Sequence, residues 1–127
     1  MKNNLYFLFA FLIITSTFSC TKENAIMIKF TNNTGYDLSD LVINDVPINN
    51  LMNSSSTRYK KFKEFTLDSG TPVYSMKYNL NGINKENSTN SFCASFYNNL
   101  ENGKYEMEIY LVPTRNDDVN FRMRLIK

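Results

Sequence analysis

The chain has 127 residues, with 14 Lys and Arg against 12 Asp and Glu, a net charge of +2 and no histidine or tryptophan. Without histidine there is no Ser-His-Asp or Cys-His nucleophile and no histidine-ligated zinc, and a charge so close to balance offers no field to draw nucleic acid. An aromatic content of 14% supplies bulky residues for a single small core.

The first predicted element is a leader. Lys2 is followed by an apolar run from Leu5 to Ile14. At about ten residues it lies inside the secretory range and short of the ~20 that a spanning helix needs. A cleaved signal peptide is therefore expected over residues 1–19, and no later apolar run of that kind occurs. The leader ends in "TSTFSC", Thr15 to Cys20. This stretch resembles the bacterial lipoprotein signal, in which small residues precede a cysteine that receives diacylglycerol. Ser19 fits that pattern, while Thr17 and the bulky Phe18 depart from it. Thr17 and Ser19 also satisfy a relaxed small-x-small secretory site, so an ordinary cut after Ser19 is the alternative. The Ser-Cys junction, the polar "TKEN" after it and the richness in Asn, Lys, Ile and Tyr resemble small lipoproteins of Bacteroidetes-type Gram-negative bacteria.

That resemblance implies cleavage between Ser19 and Cys20, a lipid on Cys20 and attachment to the cell envelope. Thr21, where a retention signal for the inner membrane has Asp, implies the outer membrane. Lys22-Glu23 resembles the charged surface-export signals of such lipoproteins, which leaves the periplasmic face and the cell surface both open. Residues 20–25 are then a lipidated cysteine and a short tether, and residues 26–127 the folded domain. At about 3.3–3.6 Å per extended residue the tether holds the domain within roughly 20 Å of the lipid. Cys93 becomes a lone thiol, most simply a small buried apolar residue. With Cys20 unmodified, an exported compartment permits a Cys20–Cys93 bridge instead.

Past the tether the sequence alternates at period two and nowhere at 3.6. Ile26, Ile28 and Phe30 share one face of a first strand that ends in "TNNTGYD". Leu41 and Ile43 lead to a tight reversal at Asn44-Asp45, and Pro47 places the return strand on a sheet edge. "NSSST" marks a loop. Tyr74, Met76, Tyr78 and Leu80 alternate up to the hairpin cue Asn81-Gly82. Phe92, Ala94 and Phe96 define the next strand, Tyr105, Met107, Ile109 and Leu111 another, and Val119, Phe121, Met123 and Leu125 the last, across the turn "PTRNDD". About seven or eight short strands of this kind predict an all-β, antiparallel β-sandwich.

"LENGKYEMEIYL" sharpens that expectation. An apolar residue, a Gly turn and Tyr105 ahead of an alternating strand resemble the tyrosine corner of immunoglobulin-like sandwiches, which implies that the Tyr105 hydroxyl bonds back to nearby backbone. No Cys-Trp-Cys signature accompanies it, and a transthyretin-like sandwich is equally compatible.

Chemistry-bearing residues are few. Asp117-Asp118 fall in turn sequence, and Glu106 and Glu108 alternate with apolar residues, so all four are read as solvated polar positions. No catalytic residue, metal ligand or cofactor is expected. The strip "TRYKKFKEF" sets Arg58, Lys60, Lys61 and Lys63 among Tyr59, Phe62 and Phe65. It reads as an edge strand guarded by lysines with its aromatics turned inward, or as a surface that docks on anionic headgroups or an acidic glycan. Tyr36, Tyr97 and Tyr110 are the tyrosines available to stack on sugars. The expected function is a non-catalytic envelope module that binds or scaffolds a protein partner, with a glycan- or ligand-binding lipoprotein as the alternative.

Overall fold

The computed structural model describes residues 24–89, 96–114 and 118–127. These hold eleven strands and no helix. A first sheet has the order β11-β10-β1-β4, built from β1 (Ile26–Asn33), β4 (Lys60–Phe62), β10 (Gly103–Val112) and β11 (Asn120–Leu125). A second has the order β3-β2-β7-β8, from β2 (Leu38–Ile43), β3 (Val46–Leu51), β7 (Ser75–Leu80) and β8 (Ile83–Ser88). The short strands β5 (Thr66–Asp68), β6 (Thr71–Val73) and β9 (Tyr97–Asn99) form a third, in the order β6-β5-β9. The molecule is an all-β sandwich. Among the described residues its strand pairings are antiparallel except one, β1 with β10, which run side by side in the same direction.

The period-two faces become the core. Ile26, Ile28 and Phe30 of β1 join Phe62, Met107, Ile109, Phe121 and Met123 from their own sheet. Leu41, Ile43, Ile48, Met76, Tyr78 and Leu80 come from the facing sheet. The ring of Phe62 packs edge-on to Phe30 at 5.8 Å and to Phe65 at 5.4 Å, while Phe121 meets Tyr78 at 5.2 Å across the sandwich. Such pairs add about 0.5–1.5 kcal/mol to the area they bury.

Turn chemistry sets the connections. Asn44 and Asp45 take φ of 47° and 62°, and Asn81 and Gly82 take 52° and 84°, the left-handed pairs whose twist suits a two-residue hairpin. Pro47 lies on β3 at the edge of its sheet, where a missing N–H costs no ladder bond. Leu38 and Leu41 are both buried although three residues apart. A bulge at Asp40, with φ of 51°, restores the phase between them.

Several expectations need correction. The strand count exceeds seven or eight because the third sheet consists of three-residue strands and β8 is an almost wholly polar edge. β1 continues through Asn33 rather than stopping before "TNNTGYD". Of the strand read at Phe92, Ala94 and Phe96, the first two residues lie outside the described set. Phe96 stands 70% exposed ahead of β9. Leu111 is likewise 40% exposed at the far end of β10.

The hydrogen bond expected of Tyr105 is present. Tyr105 packs against the core and donates its hydroxyl to the Glu101 carbonyl at 3.0 Å. Because that bond is reached by water, Tyr105→Phe is expected to cost about 0.5–1.5 kcal/mol. At roughly 4–8 °C per kcal/mol, a thermal melt resolves it. An unchanged midpoint would mean that water fully replaces the bond.

Candidate functional site

Alternation along β1, β10 and β11 turns Lys29, Thr31, Asn33, Glu106, Glu108, Tyr110, Arg122 and Arg124 to the outer face of the first sheet. The register puts Thr31 and Arg124 on either side of Glu108. Glu108 is only 8% exposed, which corrects its reading as a solvated position. Its carboxylate accepts the Asn33 Nδ2–H at 2.5 Å and the Arg124 Nε–H. The Arg124 guanidinium in turn lies 5.1 Å over the Tyr110 ring. The Asn33 hydrogen bond, and after it that of Arg124, holds the Glu108 carboxyl below its ordinary range.

A carboxyl depressed in the folded state contributes stability that is complete above its unfolded value, about 4.3, and is lost as pH falls through the lower folded value. Glu108→Gln is therefore expected to lose on the order of 1–2 kcal/mol at neutral pH, and to flatten the acid limb of stability below about pH 4. Denaturant titrations across pH 2–7 read both effects. An acid limb identical to the wild type would show that another carboxylate controls it.

Glu106 is the more exposed of the pair. It faces Lys29 at 3.7 Å and accepts the Tyr59 hydroxyl at 3.4 Å, a surface arrangement of small energetic weight. Asp118 is exposed, and Asp117 lies outside the described residues.

The basic strip does not form one charged face. β4 is the sheet's edge, and its register sets Lys60 beside Ile28 and Lys61 beside Met27, on opposite faces. Phe62 and Phe65 are 2% and 1% exposed, whereas Arg58, Lys61 and Lys63 face solvent. This is the arrangement of a lysine-guarded edge. Lys104, not singled out in the sequence, sits opposite Met27 on its other side and so joins Lys61 in one row. The three tyrosines do not share a platform either. Tyr36 leans on Phe121 at 6.0 Å, Tyr97 belongs to the third sheet, and Tyr110 lies under Arg124. Ser19, Cys20 and Cys93 fall outside the described residues.

Two concavities stand out. One, of about 470 Å³, lies between the Asn44-Asp45 turn and the segment after β4, with Lys63 and Glu64 both on its wall. The other, of about 550 Å³, opens along the seam where β11 approaches β6 and the end of β8. Here the Asn87 amide donates to Asn120 Oδ1 at 3.2 Å and to the Phe121 carbonyl at 3.0 Å, pinning the two large sheets together. The buried Tyr78 hydroxyl beside Asn87 has no hydrogen-bond partner among the described residues, and burial raises its pKa. Tyr74, also raised by burial, bonds the Met123 backbone and feels the positive charge of Arg122. Among the described residues no three Cys, Asp or Glu converge as a metal site. Sequence reasoning missed this seam because its walls come from segments far apart in the chain.

No protein-family model matches the chain, and neither a curated protein nor a solved structure matches it.

Proposed function

We propose that the chain is a cell-envelope lipoprotein, a non-catalytic binding or scaffolding module held at the outer membrane by a lipid on Cys20. The observation that carries this reading is the junction "TSTFSC" at the end of the apolar leader, with only "TKENA" between Cys20 and the first core residue, Ile26. A tether so short keeps the sandwich within roughly 20 Å of its anchor. The absence of histidine from the chain, and the engagement of Glu108 by Asn33 and Arg124, support a binding role over a catalytic one. An envelope protein is the first candidate partner.

Mass spectrometry of the membrane-bound protein is expected to find Cys20 at the N-terminus carrying diacylglycerol, and Cys20→Ala to release the domain into the soluble fraction. Several acyl chains at about 0.8 kcal/mol per buried CH₂ anchor it without help from the protein surface. A soluble, unlipidated wild-type protein with a Cys20–Cys93 bridge would overturn the reading. The second reading, a glycan- or ligand-binding lipoprotein, draws support from the polar groove at the seam rather than from the scattered tyrosines.

A further inference from the structure

We infer that the seam groove between β6, β8 and β11 is a binding site for a carboxylated saccharide, with Arg122 as the anchor for the carboxylate. The inference rests on the binding-module reading and is independent of the lipid on Cys20. Its first support is charge. Among the described residues Arg122 is the sole charged side chain lining the groove, and none of them brings a carboxylate to face it there. The neighbouring Arg124 is committed to Glu108 and Tyr110, whereas among the described residues no acid pairs with Arg122. Arg122 is exposed on the wall of this concavity, and its guanidinium favours a planar anion that its fork can hold with two hydrogen bonds.

The second support is the character of the walls. Thr71, Thr89, Asn87, Asn120 and Tyr110 present hydroxyl and amide groups, with the side of Tyr74 as apolar surface. Part of that polarity is already used. Thr89 Oγ1 accepts the Tyr74 N–H at 2.8 Å, and the Asn87 amide hydrogens go to Asn120 and Phe121. The Asn120 amide nitrogen and the Tyr110 hydroxyl make no hydrogen bond to a described side chain, and they flank Arg122 on the groove wall. Donors spaced around one cation, with an aromatic surface beside them, suit a ligand that carries several hydroxyls and presents one carboxylate to that cation. Size points the same way. A volume of about 550 Å³ is far more than a phosphate or acetate ion fills, and falls in the range of sites for drug-sized molecules, roughly 300–1,000 Å³.

The probe is digalacturonate, titrated into the full-length protein in detergent and followed by calorimetry and by amide chemical shifts. Digalactose serves as the neutral control and inorganic phosphate as the small-anion control. Saturable binding of digalacturonate alone is expected, with shifts centred on Asn120 to Met123. Arg122→Gln is expected to weaken it at least tenfold. Asn120→Asp provides a second arm, because the new carboxylate can still accept from Asn87 while it repels the ligand's own, and binding is expected to be lost. Three results would overturn the inference: no saturable binding by about 10 mM, a weak limit near 3 kcal/mol; equal binding of digalactose or phosphate; or binding that survives Arg122→Gln and Asn120→Asp but disappears when Lys61 and Lys63 are changed to Gln. Because the readout is ligand binding, it is unaffected by whether Cys20 proves to be lipidated.

Discussion

Asn32→Leu is expected to destabilise the domain by on the order of 4 kcal/mol, more than any other change to a polar residue described above. Asn32 is fully buried on the core-facing side of β1, in line with Ile26, Ile28 and Phe30. All four of its side-chain hydrogen-bonding positions are used. Nδ2 donates to the Tyr36 carbonyl at 2.8 Å and to the Leu51 carbonyl at 2.9 Å, and Oδ1 accepts from Thr34 N at 3.1 Å and Thr34 Oγ1 at 2.7 Å. One side chain thus ties the end of β1 to the β1–β2 turn and to the end of β3. Leucine has a similar volume, so little cavity forms. The cost arises because the buried Leu51 carbonyl and Thr34 N–H lose their partner at about 1–3 kcal/mol each, while the half-buried Tyr36 carbonyl keeps Thr34 Oγ1 at 3.1 Å. Against a total stability of roughly 5–15 kcal/mol, this is a large fraction of what holds the domain folded. Urea denaturation measures it directly. A loss below about 1 kcal/mol would mean that water enters and satisfies those groups, and that the node is not a closed network.

The same residue shows how much of this protein could be read in advance. Period two places position 32 on the core face after Ile26, Ile28 and Phe30, yet the polar "TNNTGYD" reads as the end of the strand. Where one face is buried and the other wet, as in β1, β7 and β11, alternation carried the fold. Asn44-Asp45 and Asn81-Gly82 were legible because left-handed φ restricts which residues a hairpin tolerates. β8 was missed because "INKENS" buries no face, and the strands of the third sheet are too short to show a period. Ser69-Gly70, with φ of 49° and 83°, carried a turn cue of the same kind.

Sites were less legible than strands, for a geometric reason. Glu108 follows the local pattern of a solvated residue, but its burial comes from Asn33, 75 positions earlier, and Arg124, 16 positions later. The parallel pairing of β1 with β10 that brings Asn33 there leaves no mark on either strand's periodicity. The seam groove is further removed still. Thr71, Asn87 and Arg122 meet only because edge strands of all three sheets close on one another. The basic strip shows the converse. It is contiguous in sequence, but a strand sends successive side chains to opposite faces, so Lys60 and Lys61 part company.

The closure of β11 on the second sheet depends on Phe121, and Phe121→Ala is expected to cost about 3–5 kcal/mol. The ring is fully buried, 5.2 Å from Tyr78 in the opposite sheet and 6.0 Å from Tyr36 at the β1–β2 turn. Truncation removes its transfer free energy and both ring contacts. It also leaves a void that an edge strand such as β11 can fill only by shifting inward. A shift of that kind would move the Phe121 carbonyl, which accepts from Asn87, and with it the wall of the seam groove. The aromatic part can be separated by a double-mutant cycle with Tyr36→Ala. Tyr36 is 37% exposed, so its own loss is small, and the coupling between the two rings is expected to be about 0.5–1.5 kcal/mol. Zero coupling, with Phe121→Ala still costly, would assign the whole effect to the cavity. A cost under about 1 kcal/mol for Phe121→Ala alone would show that β11 collapses freely, and that the two sheets are held at this edge by the Asn87 hydrogen bonds instead.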